Sequence, residues 1–198
     1  PKPISEDVIV LEVGASYGKG AKYLSKLAGF VYAIEPDHNS YLHCKLLLRS
    51  KNVSVHEMAI SNYDGEALLK GSSVARYCPS FFELEGIEFD IARRVKVRKL
   101  DSLSFPSTRT PTVLILDCEG SETLALEGAK NLLSKSIRYT LVETHLLANG
   151  SNTVNPVVKA LSGFYNSVEI METDNTYPSG WREKWVIGTK KATSRFGH

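Results

Sequence analysis

The sequence predicts an α/β fold: a doubly wound, mainly parallel sheet with helices on both faces and an antiparallel hairpin at its C-terminal end. Three observations predict it. Short, almost wholly apolar runs alternate with helical stretches along most of the chain, as strands do when crossover helices bury them on both faces. The first apolar run passes directly into a glycine-rich turn, "VGASYGKG", where a strand hands over to a helix with something pressed against the backbone. The last two apolar runs are separated by "TDNTYPSGWRE", dense in turn formers and read as a hairpin loop.

The elements follow in order. Val8–Val13 is the first strand, Gly20–Leu27 a helix, Phe30–Glu35 the second strand, Ser40–Arg49 a helix and Val53–Glu57 the third strand. "PTVLILD" (Pro111–Asp117) and "RYTLVE" (Arg138–Glu143) are two more strands, separated by one helix over Ser121–Leu133. Right-handed crossovers are expected between the parallel strands. Val157–Leu161 is the last helix, before strands at Tyr165–Glu172 and Lys184–Thr189. Residues 59–100 break the rhythm and read as an irregular, substrate-side insertion, with "SNYDG" as a turn and a strand at Val95–Leu100. The expectation is a single domain over residues 1–198.

Composition narrows the functional classes. The chain has 198 residues, 42% of them hydrophobic, enough for one sizeable core. A net charge of +2 with 23% charged residues announces neither a polybasic nucleic-acid binder nor an acidic tail. Lys184, Lys190, Lys191 and Arg195 concentrate positive charge late in the chain, where a solvated terminus is the default reading. Cys44, Cys78 and Cys118 show no CxxC spacing, which points to a reducing, cytoplasmic compartment and no zinc site. Apolar runs are of strand length, so no membrane span is expected, and no signal peptide is visible. The start at Pro1 is that of a trimmed chain or of one domain of a longer protein.

The glycines Gly14, Gly18 and Gly20 follow Glu12 in an E-x-G-x-x-x-G-x-G pattern. A dinucleotide fingerprint requires its first two glycines two apart, so that backbone amides reach a pyrophosphate. Here they are four apart and follow a carboxylate. A P-loop is excluded because Gly18-Lys19 is not followed by Ser or Thr. Glu35 closes the second strand 21 residues after Gly14, close to the ~20-residue spacing at which an acid grips ribose hydroxyls. Glu57, Met58 and Ala59, at the end of the third strand, lie where an adenine edge would sit. A ligand with ribose and base but no pyrophosphate fits S-adenosylmethionine better than NAD.

"VLEVGASYGKG", "AIEPD", "HEMAISNYDG", "VRKLDSL", "PTVLILDCEGSETLALEGAKNLL" and "LVETH" together resemble, in content and order, the FkbM family of S-adenosylmethionine-dependent methyltransferases. The most specific block is "LDCEGSETLALEGA". The resemblance implies a seven-stranded Rossmann-like sheet whose last strand pair is antiparallel. It also implies methyl transfer to oxygen, on hydroxyls of small molecules, natural products or sugars. Carried over, Glu12, Gly14, Ser16, Gly18 and Gly20 line the methionine end of the cofactor, Glu35 holds the ribose, and Met58 and Ala59 flank the adenine. Asp117 sits at the strand end where ligands bind in open α/β sheets. Two departures stand out: Ile115 replaces the family's usual basic residue two before Asp117, and "YCPSFFELEGIEF" is expanded.

Methyl transfer is an in-line displacement, which the protein serves chiefly by alignment. A hydroxyl nucleophile benefits from a general base. Asp117, Glu119, Glu143 and His145 lie at strand ends; Asp117 is the base by position and His145 by ordinary pKa. The same four form a conceivable hard-metal site, but buried acids also pair with Lys and Arg, and no metal is expected. Other structural readings stand beside these: Asp37 or Asn39 as a helix cap after Glu35, Met58 as core, Ser121 as an N-cap with Glu122 in the first turn, and Trp181 and Trp185 as packing or lid residues. A second function is RNA ribose 2′-O methylation, kept open by Lys19, Lys22, Arg93, Arg94, Lys96, Arg98 and Lys99. A third is a catalytically silent module that binds cofactor or a partner within a longer protein.

Overall fold

The computed structural model describes residues 5–71, 80–82, 88, 90–176 and 180–190. Most of "YCPSFFELEGIEF" (77–89), with Cys78, lies outside the described residues, as do 177–179 of the expected hairpin loop, Lys191 and Arg195. In chain order the elements begin with β1 (Ser5–Val13), α1 (Lys19–Leu24), β2 (Ala28–Ile34), α2 (His38–Leu47), β3 (Val53–His56), β4 (Ala59–Ile60), β5 (Gly65–Gly71) and β6 (Ile91–Arg98). There follow β7 (Val113–Leu116), α3 (Glu122–Glu127), α4 (Lys130–Lys135), β8 (Tyr139–Thr144), α5 (Val154–Ser162), β9 (Ser167–Thr176) and β10 (Arg182–Thr189).

Seven strands form the main sheet in the order β3-β2-β1-β7-β8-β10-β9. The pairs among β3, β2, β1, β7 and β8 are parallel, while β10 is antiparallel to both β8 and β9. The expected parallel sheet with an antiparallel C-terminal end is therefore what forms. The alternation of side chains explains why both faces need helices. Ile9, Leu11 and Val13 point with Leu114 and Leu116 into a cluster that takes Leu126, Leu133, Val157 and Leu161 from α3, α4 and α5. Val10, Val31 and Ala33 point the other way, onto Ala21 of α1 and Cys44 of α2. Successive residues of one strand thus enter different cores, which is why these strands read as continuous apolar runs.

The chain runs outward through β1, β2 and β3, then returns to the other side of β1 as β7. That reversal leaves a crevice beyond the carboxyl ends of β1 and β7, the place where open α/β sheets bind ligands.

Two sequence expectations need correction. The described part of residues 59–100 is not irregular: β4, β6 and β5 form a second, three-stranded sheet with its own small cluster of Ala59, Leu69, Val95 and Val97. The alternation of buried Val95 and Val97 with exposed Arg94 and Lys96 carried that signal. Its partner β5, "GEALLKG", has poor intrinsic strand propensity and is extended by pairing. The helix expected over Ser121–Leu133 is two helices, α3 and α4, broken at Gly128 and Ala129. Asp101 causes the restart: its carboxylate accepts the N–H groups of Asn131 (2.9 Å) and Leu132 (3.0 Å), while its own N–H donates to the Gly128 carbonyl (2.9 Å). A side chain distant in sequence thus satisfies the orphan donors of α4.

Candidate functional site

The crevice is an open cleft of about 720 Å³, counting the solvent it opens to, within the size range of small-molecule sites. Six of the cofactor-binding and catalytic candidates from sequence line it: Gly14, Ser16, Glu35, Ala59, Asp117 and Glu119. Ile60, Leu69 and Phe81 supply apolar wall, and Ser80 sits nearby. Its charged lining residues, Glu35, Asp117 and Glu119, are all acidic; among the described residues no Lys or Arg lines it.

The glycine turn is stitched to the end of β2, because Gly14 N–H and Ala15 N–H both donate to the Ile34 carbonyl (2.9 and 3.0 Å). Gly14 has φ +86, and a β-carbon there would come 1.7 Å from the Asp117 carbonyl oxygen. Only glycine allows the turn to press against the end of β7. Glu35 lies across the cleft floor, 3% exposed. Its Oε2 accepts from Ser16 N–H (2.7 Å) and its Oε1 from Asp37 N–H (2.8 Å), which leaves each oxygen with further acceptor capacity. Burial pushes its pKa up to about 8, against the pull of those two N–H groups. The capping reading of this segment also holds, at the next position: Asp37 accepts from Ser40 N–H (2.9 Å) at the start of α2.

Glu12, Gly18, Gly20 and Met58 stand back from the cleft. Gly18 is the N-cap of α1, and Gly20 lies directly over the Glu12 carboxylate. Glu12 accepts from Ala21 N–H, and burial followed by the Asp117 charge raises its pKa to about 7. Its Oε2 is buried without a hydrogen-bond partner. Met58 packs against the main hydrophobic core, so the apolar wall beyond β3 is made by Ala59 and Ile60.

At the far end, β7 and β8 deliver Asp117, Glu143 and His145 to one place. His145 is buried. Thr153 holds its backbone on both sides, accepting its N–H (2.9 Å) and donating to its carbonyl (3.0 Å). Nδ1 meets Glu122 Oε1 at 2.9 Å, and Nε2 lies 3.4 Å from Glu119 Oε2 and 3.5 Å from Asp117 Oδ1. Burial alone would lower the His145 pKa, but Glu122, then Glu119 and Asp117, raise it to about 10. The ring is therefore an imidazolium at neutral pH. The Asp117 side chain is 37% exposed toward the cleft, yet its Oδ1 is buried without a hydrogen-bond partner. Desolvation raises Asp117 to about 7 against the pull of His145, and raises Glu143 to about 8.

Glu122 is the residue whose part in this cluster the sequence reading missed. It is fully buried, and its Oε1 also accepts from Gly120 N–H (2.9 Å) and Cys118 N–H (3.3 Å), so the loop after β7 is wound around it. A signal was available: Glu122 stands three and four residues before the core residues Ala125 and Leu126, on the apolar face of α3. The arginines of β6 lie outside the cleft lining and are matched by acids. Arg93 pairs with Asp37 (3.6 Å), Arg94 with Glu66 (3.3 Å) and Arg98 with Asp64 (3.2 Å).

The pattern of the family described as "Methyltransferase FkbM domain" matches residues 12–173. No curated protein matches the chain by sequence. Among solved structures, methyltransferase FkbM from Methylobacillus flagellatus KT superposes with a TM-score of 0.63 at 18% identity, over 92% of this chain and 44% of that one. The chain thus spans less than half the length of that relative. An rRNA methylase from Streptococcus thermophilus gives a TM-score of 0.57 at 11% identity, over 94% of this chain and 90% of its own. Magnesium protoporphyrin IX methyltransferase from Synechocystis PCC 6803, solved with bound SAM, gives 0.54 at 10% identity, over 92% and 70%. At such identities these likenesses speak for the fold. No described helix is long and apolar enough to cross a membrane.

Proposed function

The chain belongs to the FkbM methyltransferase family, and from that premise we propose that it transfers the methyl group of S-adenosylmethionine to a hydroxyl of a small molecule, natural product or sugar in the cytoplasm. The observation that carries this reading is the acidic lining of the cleft, made by Glu35, Asp117 and Glu119 with no Lys or Arg among the described residues. A polyphosphate cofactor would meet no cation there, whereas a ligand with a sulfonium and an ammonium favours the ionised form of carboxyl groups whose pKa burial has raised. The residues present fit such a ligand. Gly14 leaves the backbone open to close approach, Glu35 retains acceptor capacity for two vicinal hydroxyls, and Ala59, Ile60 and Phe81 offer apolar wall for a base.

S-adenosylmethionine, when bound, would supply an electrophilic methyl group on a sulfonium, with a neutral thioether as the leaving group. The proton of the acceptor hydroxyl goes to Asp117, which faces the cleft and whose raised pKa of about 7 suits a base working near neutrality. His145, already protonated beside Glu122, Glu119 and Asp117, is in this reading a positioning residue for Asp117. Glu119 lines the cleft beside them, and Glu12 acts from behind the turn by supporting α1.

The RNA reading draws on fold likeness to an rRNA methylase, but of the seven basic residues behind it Arg93, Arg94 and Arg98 are paired with Asp37, Glu66 and Asp64, and none of the seven lines the cleft. Phosphate binding needs uncompensated positive charge. The test has two stages. Calorimetry with S-adenosylhomocysteine is expected to show one site; absence of binding would leave a silent module as the surviving reading. Labelled methyl is then offered with a small-molecule extract and, separately, with total RNA. Label in the extract supports the proposal, and label in RNA alone overturns its choice of acceptor.

A further inference from the structure

The ends of two neighbouring strands set three ligand-bearing side chains around one point. Leu116 of β7 is in register with Val142 of β8, so the next residues, Asp117 and Glu143, stand side by side beyond the sheet. His145 is two residues after Glu143 and returns to the same side. One ligand atom from each of Asp117, Glu143 and His145 lies within 4.8 Å of the other two. Around an ion with bonds of about 2.2 Å, ligands stand about 3 Å apart when adjacent and about 4.4 Å apart when opposed. Small side-chain rotations close the difference.

We propose that Asp117, Glu143 and His145 form a divalent-cation site, of the Mn²⁺ type, at the acceptor end of the cleft. Two further observations point to a ligand there. Asp117 Oδ1 is buried, has no hydrogen-bond partner and lies 3.5 Å from His145 Nε2; the carboxyl groups gathered there face only the His145 imidazolium, whose Nε2 proton would leave to solvent as a divalent cation takes its place. Glu122, fully buried, binds His145 Nδ1 at 2.9 Å, the outer-shell carboxylate support that fixes a histidine for metal ligation through its other nitrogen. Two carboxylates and one imidazole suit Mn²⁺ better than Mg²⁺, which prefers oxygen alone. Three protein ligands leave open positions toward the cleft, where an acceptor hydroxyl would bind the ion and lose its proton more readily. The second Asp117 oxygen remains available to receive that proton. This replaces the expectation from sequence that the site works without metal. Its role in catalysis rests on the methyl-transfer reading, but binding of the ion does not.

Metal-stripped protein is titrated with Mn²⁺ alone, read by calorimetry and by loss of the free-ion electron paramagnetic resonance signal. One saturable site is expected, weakened at least tenfold in Glu143→Gln and in Asp117→Asn and 10- to 100-fold in Glu122→Gln, which touches only the ligand's support. Circular dichroism melts and S-adenosylhomocysteine affinity identify any variant that fails to fold. No saturation up to about 1 mM Mn²⁺, or binding that Glu143→Gln and Asp117→Asn both leave intact, overturns the site. Mn²⁺ binding without S-adenosylhomocysteine binding would sink the cofactor reading and leave the cation site standing; the opposite result would do the reverse.

Discussion

Glu35 serves the turn and the cleft with the same carboxylate. It accepts Ser16 N–H and Asp37 N–H, which fixes the glycine turn against β2, and presents its remaining lone pairs to the cleft. Hydrogen bonds from ligand hydroxyls to a carboxyl group of this kind contribute about 0.5–1.5 kcal/mol each, more when the group is ionised. Glu35→Ala is therefore expected to weaken S-adenosylhomocysteine binding at least tenfold by calorimetry; an unchanged dissociation constant would refute its role in holding ribose. Asp117→Asn keeps the shape and removes the base. Transfer of labelled methyl should drop by about 10²- to 10⁴-fold, with cofactor affinity changed far less, and full turnover in that variant would take Asp117 out of the chemistry. Much at this scale was legible beforehand, because Gly14, Ser16, Glu35 and Asp117 stand at strand ends whose positions the apolar runs announce. What stayed hidden depended on direction. Glu12 and Met58 lie in the right segments but turn away from the cleft, and the charge on His145 comes from Glu122, which only tertiary packing brings to it.

Elements were legible to the extent that their own residues determine them. β1, β2 and β7 of the main sheet announce themselves because each sends side chains into the cores on both faces. The second sheet was half visible, since β6 alternates but β5 is held extended by its partner. The break between α3 and α4 was invisible locally, because its cause, Asp101, lies about thirty residues away in sequence. That cause is measurable. Removing a helix-capping acceptor costs about 1 kcal/mol, so Asp101→Ala should lower the melting temperature by about 2–4 °C in a chain of this size. Asp101→Asn, which retains one acceptor oxygen, should recover part of the loss. Equal melting temperatures for wild type and Asp101→Ala would mean that α4 begins without help from Asp101.

Across the whole molecule, the crevice gathers carboxyl groups that the fold must desolvate. Burial raises Glu12 to about 7 and Glu35 to about 8 from an ordinary 4.5. A raised folded-state pKa means that the native protein holds a proton which the unfolded chain releases above pH 4.5. The stability linked to these groups is complete below that point and is lost as pH rises through about 7 and then about 8. The loss is on the order of a few kcal/mol. His56, lowered by burial, works in the opposite direction below its ordinary 6.5. Glu122, lowered chiefly by His145 in opposition to its burial, acts only below 4.5. Between pH 6.5 and 8 the two buried glutamates act in the same direction as Asp117, raised to about 7, Glu143, raised to about 8, and His145, raised to about 10, so the raised groups together outweigh His56. Urea unfolding in a chelator, which keeps cations from neutralising the crevice, should show the midpoint falling steadily across that interval. Glu12→Gln should flatten the slope, since the amide has no proton to lose. A midpoint that rises from pH 6.5 to 8 would mean that these carboxylates have partners in solution that compensate their burial.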